Sequence, residues 1–488
     1  MITDLINLPY CFLFIPLIFS GINILQNYKA TNTIISISAV SFILMLSFYL
    51  IPEILPNAVI QNKIDNNILF LMGEFRIDLS TLLFIILIFF TKLILFMFFD
   101  DSMIYTKKLN FFFAIYLINY FAICGILTSN NIFNIYIYTE LYSFSLYNLM
   151  SDYKQISYTK VAYKYYNYGV LGSIFFMFFI FIVFFTFGSA DIDFIMQNLS
   201  VVENNYIYNA SIFVFLIALS LKFFSFNFYF SGVSKASEIA NLLFINILFS
   251  DIIIGIYLLY RFIFTLFDIN TIFNIFHVDF LFYFIGSALV IYNAYKVYER
   301  KNLLPTIYSF SLIMLGYILI LIGLNNQYSF IGIFSFLINH TLIDFLFYII
   351  VALLIYVFKK SDVPVLYSFY NYRYIIYFIL LSKLGFPIAF GFNSSWNYIL
   401  STIISKNYFL FIPFLVEKVS IILLFNRYYF VFYKEVHDEH IYLSLDNKIS
   451  MKTNYMLAIL IIFLLILFVS FSEGIISNIL FDFLSNVR

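Results

Sequence analysis

Fourteen stretches of the chain are apolar over the length a helix needs to cross a bilayer: approximately 7–25, 32–52, 79–99, 109–128, 131–150, 165–187, 208–230, 239–265, 280–296, 304–324, 331–357, 373–393, 407–432 and 455–480. At 1.5 Å of rise per residue, about 20 residues cover a hydrocarbon core of about 30 Å. A helix satisfies its backbone amides within its own segment, where lipid offers no other partner. The fold class that follows is all-α, a polytopic membrane protein of about 14 transmembrane helices. The charge content agrees: 11% of the 488 residues are charged, against roughly a quarter in a soluble domain. The fourth and fifth stretches are separated only by a short turn at Ser129-Asn130-Asn131, which predicts a helical hairpin.

The loops set the topology. Counted alternately, one set carries sixteen Lys and Arg, and the other, with the two termini, carries four. The positive-inside rule puts the richer set on the inner side. Both termini then lie outside, as an even number of spans requires. The longest outer loop, 53–78, ends in Phe75-Arg-Ile-Asp78, and the longest inner loop, 433–454, contains His437-Asp-Glu-His440. Two histidines three apart could share a helix face as metal ligands, but a lone pair in a solvated charged loop is ordinarily polar surface, and no metal is assigned. His277, beside an outer helix end, is read the same way.

A formal net charge of zero carries no nucleic-acid signal, and Cys11 and Cys124 each sit inside an apolar run. Two such thiols read as packing, not as a disulfide, a haem site or an iron–sulfur site. No Gly-rich phosphate loop or dinucleotide fingerprint is present, so the chain is expected to hold no redox cofactor of its own. The first apolar run lacks the basic start and cleavage site of a signal peptide. The 68 Phe and 42 Tyr, with abundant Ile and Asn, have AT-rich codons, which points to a biased genome such as an organelle's.

Several ionisable residues fall within the spans. Glu140 lies in 131–150, Lys222 in 208–230, Asp251 in 239–265, His340 and Asp344 in 331–357, Lys383 in 373–393, Glu417 and Lys418 in 407–432, and Lys92 in 79–99. A charge at bilayer depth costs at least about 2.5–3.5 kcal/mol, so such residues ordinarily have a partner or a task. Lys92 can snorkel along its stem to an interface. Lys383 could turn toward the charged end at Arg373. Glu417 and Lys418 are sequence neighbours and are expected to point apart, each to its own partner. His340 and Asp344, four apart, share one helix face. Glu140 and Lys222 could be a structural ion pair, but a whole series of mid-depth acids and bases reads better as a proton or ion path. Burial disfavours a lysine's charge and a nearby carboxylate restores it, so a pair whose separation changes would bind and release a proton. Gly385-Phe-Pro387, followed by Gly391-Phe392, predicts either a kink or a broken helix lining a path.

These residues resemble a family. Glu140-Leu-Tyr-Ser143-Phe-Ser-Leu146-Tyr147, then Lys164-Tyr-Tyr-Asn-Tyr-Gly169 with Ser173, then Leu221-Lys222-Phe223 with Phe228, are similar to the fifth, sixth and seventh helices of the chain 2 family of NADH:ubiquinone oxidoreductase, antiporter-like membrane subunits of respiratory complex I. Gly286, Asn302 through Ser309, and Leu315-Gly316-Tyr317 fit its helices nine and ten. Leu384 to Pro387 with Gly391-Phe392 fits its twelfth-helix break, and Arg427-Tyr428 its thirteenth helix. The likeness covers roughly residues 75–432, in order.

The resemblance implies two inverted five-helix repeats, helices 4–8 (109–265) and 9–13 (280–432), with helices 7 and 12 broken. Residues 1–108 would hold helices 1–3, and 433–488 the inner loop and helix 14. It implies proton transfer at Glu140 and Lys222, with Glu140 tuning the lysine. Asp251, His340, Asp344, Lys383, Glu417 and Lys418 become candidate relay groups. NADH, FMN, iron–sulfur clusters and ubiquinone would bind other subunits. The partners would be neighbouring membrane-arm subunits and a cardiolipin-containing mitochondrial inner membrane, with both termini in the intermembrane space.

The sequence also departs from the family. The helix-eight lysine is replaced by Ser250-Asp251, and the helix-twelve lysine falls on Ser395, beside Trp396. The pieces that follow the helix-seven lysine are replaced by Asn227-Phe-Tyr-Phe230 and Ser234-Lys-Ala-Ser237. Two further readings stay open: a structural subunit with an interrupted proton path, and an independent cation/proton antiporter.

Overall fold

The structure is a computed structural model that describes residues 8–26, 29–57, 59–62, 74–97, 109–151, 156–199, 206–224, 238–274, 276–358, 362–387, 389 and 391–434. The replaced pieces at 227–230 and 234–237, the loop histidines His437 and His440, and the last span, 455–480, lie outside the described residues.

Apart from one short hairpin and single bridges, the described elements are helical. They are α1 (Leu8–Leu25), α2 (Lys29–Asn57), β1 (Val59–Asn62), β2 (Phe75–Asp78), α3 (Leu79–Met97), α4 (Leu109–Thr128), α5 (Ile132–Ser151), α6 (Ile156–Phe187), α7 (Ile192–Gln197), α8 (Tyr206–Lys222), α9 (Glu238–Leu266), α10 (Ile269–Asn274), α11 (Val278–Glu299), α12 (Leu303–Leu324), α13 (Gln327–Phe358), α14 (Arg373–Leu384), α15 (Phe392–Ile404) and α16 (Phe411–Lys434). The expected outer loop is therefore partly structured: β1 and β2 pair antiparallel, Val59 opposite Asp78.

Polar residues punctuate the helices. Asp78 opens α3, its Oδ1 accepting from the Thr81 amide at 2.8 Å while Thr81 Oγ1 accepts from the Asp78 amide at 3.0 Å. This is a reciprocal N-terminal cap. Asn131 caps α5 by accepting from the Phe133 amide at 2.9 Å. Asn325, at φ 42°, closes α12 in the left-handed region that Asn tolerates. Asn326 then opens α13 through a reciprocal pair with Ser329.

The chain divides into two compact units, Met1–Ala236 with Leu243–Phe276, and Ser237–Leu242 with His277–Arg488. In the first, α1 packs on α4 and α2, α5 lies between α4 and α6, and α8 packs along α6. One face of α6 is bare: Phe178, Phe181 and Phe185 are more than half exposed, at the three-to-four spacing of a lipid-facing stripe. In the second unit, α12 is flanked by α11 and α13, and its membrane-length window is entirely buried. Gly286 and Gly316 let α11 and α12 approach closely, for a Cβ on either would meet the other's carbonyl oxygen at 2.6–2.8 Å.

Each unit repeats one small device. The α4–α5 turn bridges the stretch after α6 through Asn131 and Asp191, and the α11–α12 turn bridges the stretch after α13 through Asn302 and Asp362. In both, the partners stand 60 residues apart, 131 to 191 and 302 to 362. Each bridge precedes a helix that stops short: α8 ends at Lys222 and α14 at Leu384.

Candidate functional site

The apolar run 208–230 predicts a helix through its full length, but the helix stops at Lys222, which sits in its last turn. Lys222 is buried. Its Nζ donates to Glu140 Oε1 of α5 at 2.5 Å and to Ser173 Oγ of α6 at 3.0 Å, and lies 5.6 Å from the Tyr136 ring centroid. Gly172 makes room for this approach, since a Cβ there would meet the Lys222 amide and Cβ at 3.1 Å. The two ends of the pair are in different surroundings: the Lys222 side chain is 2% exposed and that of Glu140 40%.

Asp251, on α9, is fully buried. Tyr142 of α5 donates to its Oδ1, and Tyr165 of α6 hydrogen-bonds the same carboxylate. Lys92 does not snorkel. It is 1% exposed, with its Nζ 5.6 Å and 5.8 Å from the ring centroids of Tyr116 and Tyr120. Snorkelling requires a free path along the stem, and the packed tyrosines of α4 close it.

In the second unit the helix breaks outright. Between α14 and α15, Gly385 adopts φ +76° and Pro387 lies in the non-helical link. Gly385 rather than the proline turns the chain. The Gly385 amide reaches Ser382 O at 3.0 Å, the Phe386 amide reaches Leu381 O at 3.2 Å, and the Gly391 amide reaches Ser382 Oγ at 3.1 Å. The carbonyl of Lys383 accepts from Lys418 Nζ at 2.8 Å.

Lys383 stands one residue before the end of α14, much as Lys222 stands at the end of α8. Its ammonium pairs with Asp344, lies 2.8 Å from His340 Nδ1, and sits 4.7 Å from the Phe310 ring centroid. The turn toward Arg373 is not taken, because α14 carries the stem inward to α13. His340 and Asp344 do share a face, with Nδ1 and Oδ2 4.0 Å apart. Glu417 and Lys418 do not point apart: they pair at 2.9 Å, and Tyr317 donates to Glu417 Oε2 at 3.2 Å. The lysine stem is long enough to curl back over the neighbouring turn. Ser395, where the family resemblance leads one to expect a lysine, bonds the Gly391 carbonyl at 2.9 Å.

A third polar cluster sits outside the spans. Carboxylate oxygens of Glu74, Asp191 and Asp193 lie within 4.8 Å of one another. Arg76 pairs with Asp193 at 2.7 Å, and Asn130 donates to Asp191 and Asp193 at 3.0 and 2.7 Å. Burial, and next the Glu74 carboxylate, push the Asp191 carboxyl up to about 6. The cluster ties β2, the α4–α5 turn and the start of α7 together.

Sequence reasoning passed over Arg261, whose guanidinium reaches Leu127 O at 3.3 Å and Asn130 Oδ1 at 3.4 Å at the end of α4. It quoted Tyr142, Tyr165 and Tyr317 within its motifs but gave them no role, since they carry no signal of their own among 42 tyrosines.

The family description "NADH:quinone oxidoreductase/Mrp antiporter, TM" matches residues 129–421, the part that holds both lysine sites. The chain belongs to this family. Three solved structures share the fold of this antiporter-like subunit. One is from the membrane-bound sulfane sulfur reductase, an archaeal respiratory membrane complex, at 14% identity and a TM-score of 0.77, covering 99% of this chain and 96% of that one. Another is from the Mrp complex of Dietzia sp. DQ12-45-1b, at 13% identity and 0.79, covering 99% and 97%. The third is from respiratory complex I of Thermus thermophilus with bound NADH, at 13% identity and 0.71, covering 99% and 98%. No curated protein matches the chain in sequence. The antiporter-like subunit thus has an acid–lysine contact at the end of a shortened helix in each of its two units.

Proposed function

We propose that the chain is a proton-translocating core subunit of the membrane arm of respiratory complex I, working in step with electron transfer from NADH to ubiquinone. The observation that carries this reading is Lys222, buried at a helix end and held 2.5 Å from Glu140 and 3.0 Å from Ser173. While the pair is closed, the carboxylate offsets the desolvation of the ammonium. When it opens, the ammonium loses that compensation. A helix end supplies the hinge for such opening. In the second unit, Lys383 with Asp344 and His340 takes the corresponding part, and Glu417 with Lys418 is the next charged group along. Electron transfer supplies the free energy through NADH, FMN, iron–sulfur clusters and ubiquinone bound by other subunits.

The same reading puts the chain in a mitochondrial inner membrane containing cardiolipin, with both termini in the intermembrane space. The sequence's sided Lys and Arg and its abundance of residues with AT-rich codons support this. Neighbouring membrane-arm subunits are the partners. The partly exposed Glu140 carboxylate supports them, since a carboxylate bare to lipid is costly.

The likeness of fold to the Mrp complex favours a second reading, a cation/proton antiporter subunit. Purification of the native complex in mild detergent separates the two. Flavin and iron–sulfur proteins accompany the chain under the first reading, and neither does under the second. Lys222→Met is the direct test. The complex assembles, and proton translocation in liposomes falls to background. Wild-type translocation by this variant overturns the assignment.

A further inference from the structure

Two buried charges in the first unit play no part in the Glu140–Lys222 pair: Lys92 on α3 and Asp251 on α9. Their helices are held in register. The outer part of α9 reaches the α4–α5 turn through Tyr257 and Arg261, both of which contact Leu127 O, while β2, which leads into α3, bridges Ser129 of the same turn. Phe84 of α3 meets Tyr257 of α9 edge-on at 5.1 Å. From that level Lys92 lies eight residues along α3 and Asp251 six residues back along α9, or about 12 Å and about 9 Å at the helical rise. The two therefore stand within one helical turn in depth. They are 1% and 0% exposed, and Lys92 is within Coulombic reach of Asp251. A buried acid and base at one depth compensate each other's charge, which neither could carry alone.

Tyrosines connect this pair to the one already described. Tyr165 hydrogen-bonds Asp251 and is also within Coulombic reach of Glu140. Tyr142, two residues beyond Glu140 on α5, donates to Asp251 Oδ1. The Glu140 side chain is long and 40% exposed, and when its contact with Lys222 opens it can turn toward Tyr165.

We propose that Lys92, Asp251 and Tyr165 form a second proton-binding site in the first unit, with the cation supplied by α3 and Tyr165 passing protons between Asp251 and Glu140. This rests on the proton-transfer reading above. In the transfer, Glu140 as a carboxylic acid gives its proton to the Tyr165 oxygen as the phenolic proton passes to Asp251. The phenol is neutral before and after, Glu140 becomes a carboxylate, and Asp251 becomes a carboxylic acid. Lys92 keeps its proton throughout and balances Asp251 whenever that group is ionised.

The test uses the native complex containing the chain, reconstituted in liposomes, with translocation followed by a pH-sensitive dye. The variants are Lys92→Met/Asp251→Asn together, Tyr165→Phe, and Lys222→Met as reference. The double variant removes both buried charges and so assembles. It is expected to translocate protons at least tenfold more slowly, and to lose the infrared carbonyl-stretch band of a carboxylic acid that comes and goes during turnover. Tyr165→Phe keeps the ring and is expected to slow translocation to a similar extent. If the double variant translocates at the wild-type rate with Lys222→Met inactive, the Lys92–Asp251 pair is structural only and this proposal falls. If Lys222→Met is also fully active, the proton-transfer reading itself falls.

Discussion

Replacing Gly385 by Ala tests whether the break between α14 and α15 is held by backbone geometry. The residue sits at φ +76°, a region that costs an L side chain roughly 1–2 kcal/mol. The added Cβ would also lie 2.3 Å from Ser395 Oγ and 3.0 Å from Ser395 Cβ. Ser395 must then turn away from the Gly391 carbonyl, which it now bonds at 2.9 Å, and that loss is worth about 0.5–1.5 kcal/mol. Forcing an extra methyl into packed surroundings adds about 1–3 kcal/mol. Together these predict a loss of about 2.5–6.5 kcal/mol. Adding Ser395→Gly removes the clash but not the strain, so the double variant should recover about half. The assay is thermal unfolding of the purified complex, with proton translocation measured alongside, because Lys383 and its carbonyl contact with Lys418 lie at the same break. A loss under about 1 kcal/mol for Gly385→Ala would refute the argument, as would a double variant no more stable than the single.

Asp344→Asn leaves the Lys383 ammonium, 1% exposed, without its carboxylate, and is expected to destabilise by about 3–5 kcal/mol. Lys383→Met/Asp344→Asn should recover most of that in the same unfolding assay. Gly172→Val drives a branched side chain against the Lys222 backbone, now 3.1 Å from a Cβ. It should part α6 from α8 and reduce proton translocation even where assembly persists, which the liposome assay reads. Asp191→Asn tests the outer cluster. With the carboxyl raised to about 6 from 3.8, the folded chain binds a proton more tightly than the unfolded one. Stability is then highest below the unfolded value, falls as pH rises from about 4 to about 6, and stays at the lower level above. The Asn variant lacks that loss, so its gain in Tm over wild type should be larger at about pH 7.5 than at about pH 4.5.

The helices were legible because hydropathy reports length. The boundaries of α1, α4, α9 and α12 fall within two residues of the apolar runs. Helix ends inside an apolar run are another matter. Phe223 and Phe224 continue the hydropathy of α8 past Lys222 while the backbone has already left the helix. Partners of buried charges were legible where the spacing was local, as with His340 and Asp344, or where the run of motifs paired two helices, as with Glu140 and Lys222. Lys92 looked free to snorkel because nothing in 79–99 announces that two tyrosines of α4 close over it. Glu417 and Lys418 looked divergent because a helical wheel fixes Cβ directions but not where a four-carbon stem ends. Membership of the family came from the order of motifs along the chain, which tolerates the loss of single residues such as the expected lysine at Ser395.

The two lysine sites share a construction that neither requires alone. A lysine in the last turn of a helix lies near the carbonyl end of the helix dipole, where a cation is favoured. Ending the helix there leaves carbonyls unpaired, and in the second unit Lys418 takes one of them, that of Lys383. The compensating carboxylate comes from a different helix in each unit, α5 for Lys222 and α13 for Lys383. A charge held by its own helix would move with it and stay compensated. A charge held across two helices changes its surroundings whenever the helices shift, so small motions at a helix end become changes in proton affinity. In the first unit that carboxylate is partly exposed, and in the second it is sealed. The Glu140–Lys222 contact is therefore the one a neighbouring surface can reach, while Asp344–Lys383 answers to movements of the helices packed around it.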